Sequence, residues 1–149
     1  RFSLSDLNLG EGQIVMSLDT ASKDNPFNDS SVILVARVHG KSTHVIDVFR
    51  KRMLFPALED KVIELARLHK AKVLLIEDTA SGQQLIPRLW ATEPAGVPSP
   101  IPWRPKGDKI SRAFSASSII RSGRVYIPEQ GHWVADFLSE VLGFRALHT

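Results

Sequence analysis

"SLDTAS" at residues 17–22 returns as "IEDTAS" at 76–81, each time closing an apolar run with the tetrapeptide Asp-Thr-Ala-Ser. The runs themselves, "QIVMSLD" (13–19) and "AKVLLIED" (71–78), are β-branched and apolar, and read as buried strands ending in Asp19 and in Glu77 and Asp78. Turn chemistry alone accounts for such an ending, because Asp, Thr and Ser bond free backbone N–H groups where strands stop and helices start. A second account is that carboxylates from two strands converge on a metal. Strand geometry limits that account. Successive side chains point to opposite faces, so Glu77 and Asp78 cannot both aim at one point. One would be a ligand and the other a cap or support, and either assignment is open.

Outward from these two runs the chain reads as a mixed sheet with helices. "VILVARVHG" (32–40) and "THVIDVFRKR" (43–52) are strands joined through Gly40-Lys41-Ser42, so three antiparallel strands open the domain. "PALEDKVIELARLHK" (56–70) is an amphipathic helix, with Pro56 at its start, acids early, bases late, and Leu58, Val62, Leu65 and Ala66 on one stripe. A second helix begins within "ASGQQLIPRLWAT", where Pro87 is expected to kink or interrupt it. The Pro-rich stretch 93–108 is extended and carries an edge strand around Ser99 to Trp103. Beyond it lie a helix over 108–123, a short strand in "RVYIPEQ" and a closing helix in "GHWVADFLSEVLGF". The order βββ-α-β-α-(β)-α-β-α predicts an α/β fold: three antiparallel strands, then parallel ones, with helices on both faces.

Composition narrows the chemistry. The 149 residues suit one domain, and 43% hydrophobic content provides a sizeable core. With no cysteine, thiolate sites and disulfides are excluded, so any metal is held by oxygen or imidazole. His39, His44, His69, His132 and His148 show no zinc-site pairing. No apolar run approaches the ~20 residues of a membrane span, and a soluble, intracellular, cytoplasmic setting is the default expectation. The net charge of +3 is compatible with a polyanionic partner.

Two constellations carry function. Asp19 with Glu77 or Asp78 supplies the hard oxygen donors that Mg²⁺ prefers, and phosphodiester-cutting sites hold two such ions ~3.5–4 Å apart with shared carboxylates. Arg104, Lys106, Lys109, Arg112, Arg121 and Arg124 lie in a short span opposed only by Asp108. Lys109 and Arg112, three apart, share a helix face and could meet phosphates; a solvated helix surface is the plainer reading. Trp103 is either a base-stacking or an edge aromatic. Gly82 eases entry into the second helix.

Taken together, "SLDTASKDNPFNDSSVILVARV", "VIELARLHKAKVLLIEDTASGQQLI", "PSPIPWRPKGDKISRA" and "GRVYIPEQGHWVADFLSEVLGF" resemble the C-terminal nuclease domain of phage terminase large subunits, across nearly the whole chain. The resemblance implies a ribonuclease H-like fold and cutting of double-stranded DNA with two Mg²⁺ or Mn²⁺ ions during genome packaging. It implies Asp19 and Glu77, or its neighbour Asp78, as metal ligands, and Lys109 and Arg112, with Arg104 and Lys106, near the DNA backbone. It further implies an ATPase domain upstream of Arg1, a small terminase subunit and a portal as partners, and the host cytoplasm as the setting.

One departure bears on activity. The family's third acid follows the last helix in a His-Asp-Asp-like segment, whereas this sequence runs "GFRALHT", with His148 at the histidine and Thr149 at the acid. The expectation is a fragment cut short or a site lacking one ligand, with Asp136 and Glu140 as the nearest substitutes. Two rival readings remain. One is a resolvase- or transposase-type nuclease of the same fold, and the other a non-catalytic DNA-binding or assembly module whose acids are caps.

Overall fold

The computed structural model describes residues 12–20, 30–40, 42–104, 125–126 and 128. Three strands open the fold, β1 (Gln13–Asp19), β2 (Ser31–His39) and β3 (Ser42–Lys51). They pair antiparallel in sequence order, so the expected hairpin around Gly40 forms. After helix α1 (Phe55–His69), strand β4 (Val73–Glu77) returns beside β1 and runs parallel to it. Helix α2 (Gly82–Thr92) leads to edge strand β5 (Pro100–Trp103), parallel to β4, and a two-residue strand β6 (Val125–Tyr126) pairs with β3. The sheet order is β5-β4-β1-β2-β3-β6.

The alternation of the strands sets the core. Met16 and Leu18 of β1, Ile33 and Val35 of β2, and Leu74 and Ile76 of β4 are fully buried on one face. Against them pack Leu58, Val62, Leu65 and Ala66 of α1 and Leu85, Ile86 and Leu89 of α2. Each buried aliphatic side chain contributes about 1.5–3 kcal/mol relative to exposure, so this layer fixes the strand register. The stripe expected on α1 is the buried one; its acids fall in the second turn rather than the first, and Arg67 and His69 occupy the last. Lys70 ends the helix in the left-handed region at φ 54°.

Pro87 does not interrupt α2, which is continuous through it. Pro87 lacks the N–H that would bond the Gln83 carbonyl, and both residues lie on the exposed face of the helix. A Glu59–Arg88 ion pair joins α1 to α2.

Both described helices cover the same face; those expected at 108–123 and 131–144 lie outside the described residues. Among the described residues no helix is long and apolar enough to cross a membrane. At the far edge the His44 ring stacks on Tyr126, centroids 4.6 Å apart. Burial, then the charges of Arg37 and His39, hold the His44 imidazole below the usual histidine range.

Candidate active site

Asp19 and Glu77 are the last residues of β1 and β4. The parallel register ends with Leu18 paired to Ile76, so Asp19 and Glu77 are each the next residue after that last pair, at the ends of neighbouring strands. Because Leu18 and Ile76 point into the helix-covered core, the two carboxylates project from the opposite face. They differ in setting: Asp19 is exposed, whereas Glu77 is 6% exposed. The row continues to Val32 on β2 and Trp103 on β5.

Asp78 goes elsewhere. Its backbone N–H donates to the Trp103 carbonyl at 2.8 Å, extending the β4–β5 ladder past Glu77. Its carboxylate accepts from Arg104 Nε at 3.4 Å. Of the two acids left open by the sequence, Glu77 shares Asp19's face, and Asp78 is engaged by a cation at the sheet edge. That contact also gives Arg104 an intramolecular partner while leaving its side chain largely exposed. Trp103, at the end of edge strand β5, is half-buried. Lys106, Lys109, Arg112, Asp136, Glu140 and His148 lie outside the described residues.

The repeated tetrapeptides touch. Thr20 Oγ1 donates to the Thr79 carbonyl at 3.1 Å and accepts from the Gly82 N–H at 3.3 Å, tying the exit of β1 to the turn between β4 and α2. Gly82 packs so closely there that a Cβ would run into the Glu77 carbonyl oxygen; only glycine fits. Ala80 between them holds φ +50°, a left-handed conformation that a residue with a Cβ seldom adopts. Ser81 precedes the helix but makes no side-chain cap bond, so the capping explanation of the tetrapeptide fails at that residue. Local patterning gave no role to Thr20 and too small a role to Gly82; the echo itself was the available signal.

Two adjacent carboxylates, one facing solvent and one shielded, are a donor set suited to a hard divalent cation. Among the described residues no group of three or more His, Cys, Asp or Glu forms a larger cluster. The donors therefore fit one cation, and a second would need an acid from elsewhere in the chain.

The family model described as "Terminase RNaseH-like domain" matches residues 16–146. No curated protein matches the chain. Among solved structures, the manganese-soaked nuclease domain of the human cytomegalovirus terminase superposes with a TM-score of 0.61 at 13% identity, covering 96% of this chain and 79% of that one. The large terminase of the thermophilic bacteriophage D6E gives 0.57 at 8% identity, covering 80% of this chain and 29% of that one. T. thermophilus RuvC, in complex with a Holliday junction, gives 0.52 at 14% identity, covering 91% and 96%. This chain thus spans under a third of the phage protein, and at such identities the superpositions establish the fold, a ribonuclease H-like mixed sheet. With the family match running from β1 almost to the end of the sequence, the chain belongs to the terminase RNaseH-like domain family.

Proposed function

We propose that this domain is a metal-dependent endonuclease that cuts double-stranded DNA during viral genome packaging. The observation that carries the proposal is the placement of Asp19 and Glu77 at the ends of parallel neighbours β1 and β4, each one residue past the Leu18–Ile76 pair, in a domain of this family. Asp19 and Glu77 would hold a Mg²⁺ or Mn²⁺ ion. Bound there, such an ion supplies charge neutralisation at the scissile phosphate and lowers the pKa of an attacking water.

The chain's own residues account for the rest. Glu77 is shielded from water, whereas exposed Asp19 can reach both cation and substrate. Arg104 at the β5 exit, with Lys106, Lys109 and Arg112 beyond it, would grip phosphates and confer little base preference. A two-ion version of the reaction requires a third carboxylate, for which Asp136 and Glu140 are the candidates within the chain. The upstream ATPase domain, the small terminase subunit, the portal and the host cytoplasm belong to the same proposal, supported by family membership.

The test is nicking of supercoiled plasmid in Mn²⁺, beside an Asp19→Ala control and an EDTA control. Cutting that requires both Asp19 and the metal is the expected result. DNA binding that persists without metal and is unaffected by Asp19→Ala, with no cutting, would instead support a binding module.

A further inference from the structure

Thr20 is 8% exposed, and its single hydroxyl oxygen joins the exit of β1 to the turn that follows β4. Neither backbone group it contacts depends on it. The Gly82 N–H also donates to the Thr79 carbonyl at 2.9 Å, closing the turn without Thr20. A hydroxyl that rescues no unmet polar group has geometry as its main effect.

The geometry in question is that of the two carboxylates. Thr20 directly follows Asp19, and Thr79 lies two residues after Glu77. The turn that Thr20 grips is stiff, with Ala80 in the left-handed region and Gly82 seated on the Glu77 carbonyl. The parallel pairing of β4 with β1 ends at Leu18 and Ile76, one residue before Asp19 and Glu77. The Thr20 clasp lies just past this point.

We propose that Thr20 is a positioning residue that fixes the separation of the Asp19 and Glu77 carboxylates and so sets the affinity of the pair for a divalent cation. This rests on the reading of Asp19 and Glu77 as the cation site. The hydroxyl is the active feature and the methyl is not: Thr20→Ser keeps the clasp, and Thr20→Val keeps the shape without it.

The experiment is titration of the 149-residue chain with Mn²⁺ alone, followed by the EPR signal of the free ion, for wild type, Thr20→Ser, Thr20→Val and Asp19→Asn. Circular dichroism melts of the same samples report the fold. The expected result is wild-type affinity in Thr20→Ser and affinity weakened about tenfold or more in Thr20→Val, as for other residues that orient metal ligands. Melting of the valine variant should stay within about 5 °C of wild type, because the turn retains its own hydrogen bond. Equal Mn²⁺ affinity in wild type and Thr20→Val, with Asp19→Asn weakened, overturns the positioning role and leaves the cation site standing. Equal affinity in wild type and Asp19→Asn overturns the cation site and the proposal with it. Should Thr20→Val fail to fold, Thr20→Ala replaces it in the comparison with Thr20→Ser, with the same two outcomes deciding.

Discussion

Glu77 and Asp78 are chain neighbours with opposite surroundings. Glu77 is shielded beside Asp19, and Asp78 meets Arg104 at the sheet edge. If the cation sits with Asp19 and Glu77, Glu77→Gln removes a charged donor and should reduce Mn²⁺-dependent nicking by at least about 100-fold, the upper range for disrupting a metal's ligand arrangement. Asp78→Asn removes only half of an exposed ion pair of about 0–1 kcal/mol and should leave nicking within a few-fold of wild type. A plasmid time course on both variants checks this, and the reverse order of effects would transfer the ligand role to Asp78. The candidate acids were legible at this scale, because strand ends and period-2 alternation are local signals. Which of the two faced Asp19 was not, since that depends on the register between strands separated by α1. The Thr20 contact was hidden for the same reason: it spans residues far apart in sequence and has no periodic signature.

Between β4 and α2 the decisive residue has no side chain. A Gly82→Ala methyl would meet backbone rather than a movable side chain, so β4 or α2 must shift to admit it. Overpacking of this kind costs about 1–3 kcal/mol, and urea unfolding midpoints should fall accordingly. A midpoint equal to wild type would mean that the helix start is not held against Glu77. Beside β6, His44 gives an acid-side prediction. Its folded pKa lies below the unfolded value, so its neutral form is favoured by folding. Stability is therefore full above the unfolded pKa of about 6.5 and declines as pH falls toward the folded value. Thermal melts between pH 8 and pH 5 should show this decline, and His44→Phe, which retains a ring for Tyr126, should flatten it. Elements were read well where one amphipathic pattern dominated, as in α1. The interruption expected at Pro87 does not occur, because that local rule took no account of packing: Pro87 lies on the exposed face, and burial of Leu85, Ile86 and Leu89 carries the helix through.

Across the whole molecule, the sheet order was recoverable because three antiparallel strands followed by a helix leave β4 a natural place beside β1, with α1 and α2 over the shared core. The electrostatic side of the reading was legible only as composition, because Lys106, Lys109, Arg112, Arg121 and Arg124 lie outside the described residues, whereas Arg104 donates to Asp78. A solution measurement addresses it directly. If all six of these cations met phosphates, the logarithm of DNA affinity would fall against the logarithm of salt with a slope of about −5, an approximately 10³-fold loss between 50 and 200 mM. Fluorescence anisotropy on a labelled duplex in Ca²⁺ measures that slope, since a cation that supports binding need not support cutting. Replacing Lys109 and Arg112 together should reduce the slope by about 2 and weaken binding to all sequences alike. A slope near zero would remove the phosphate-gripping role from this segment, because a domain with a net charge of only +3 holds DNA electrostatically only where its cations are concentrated.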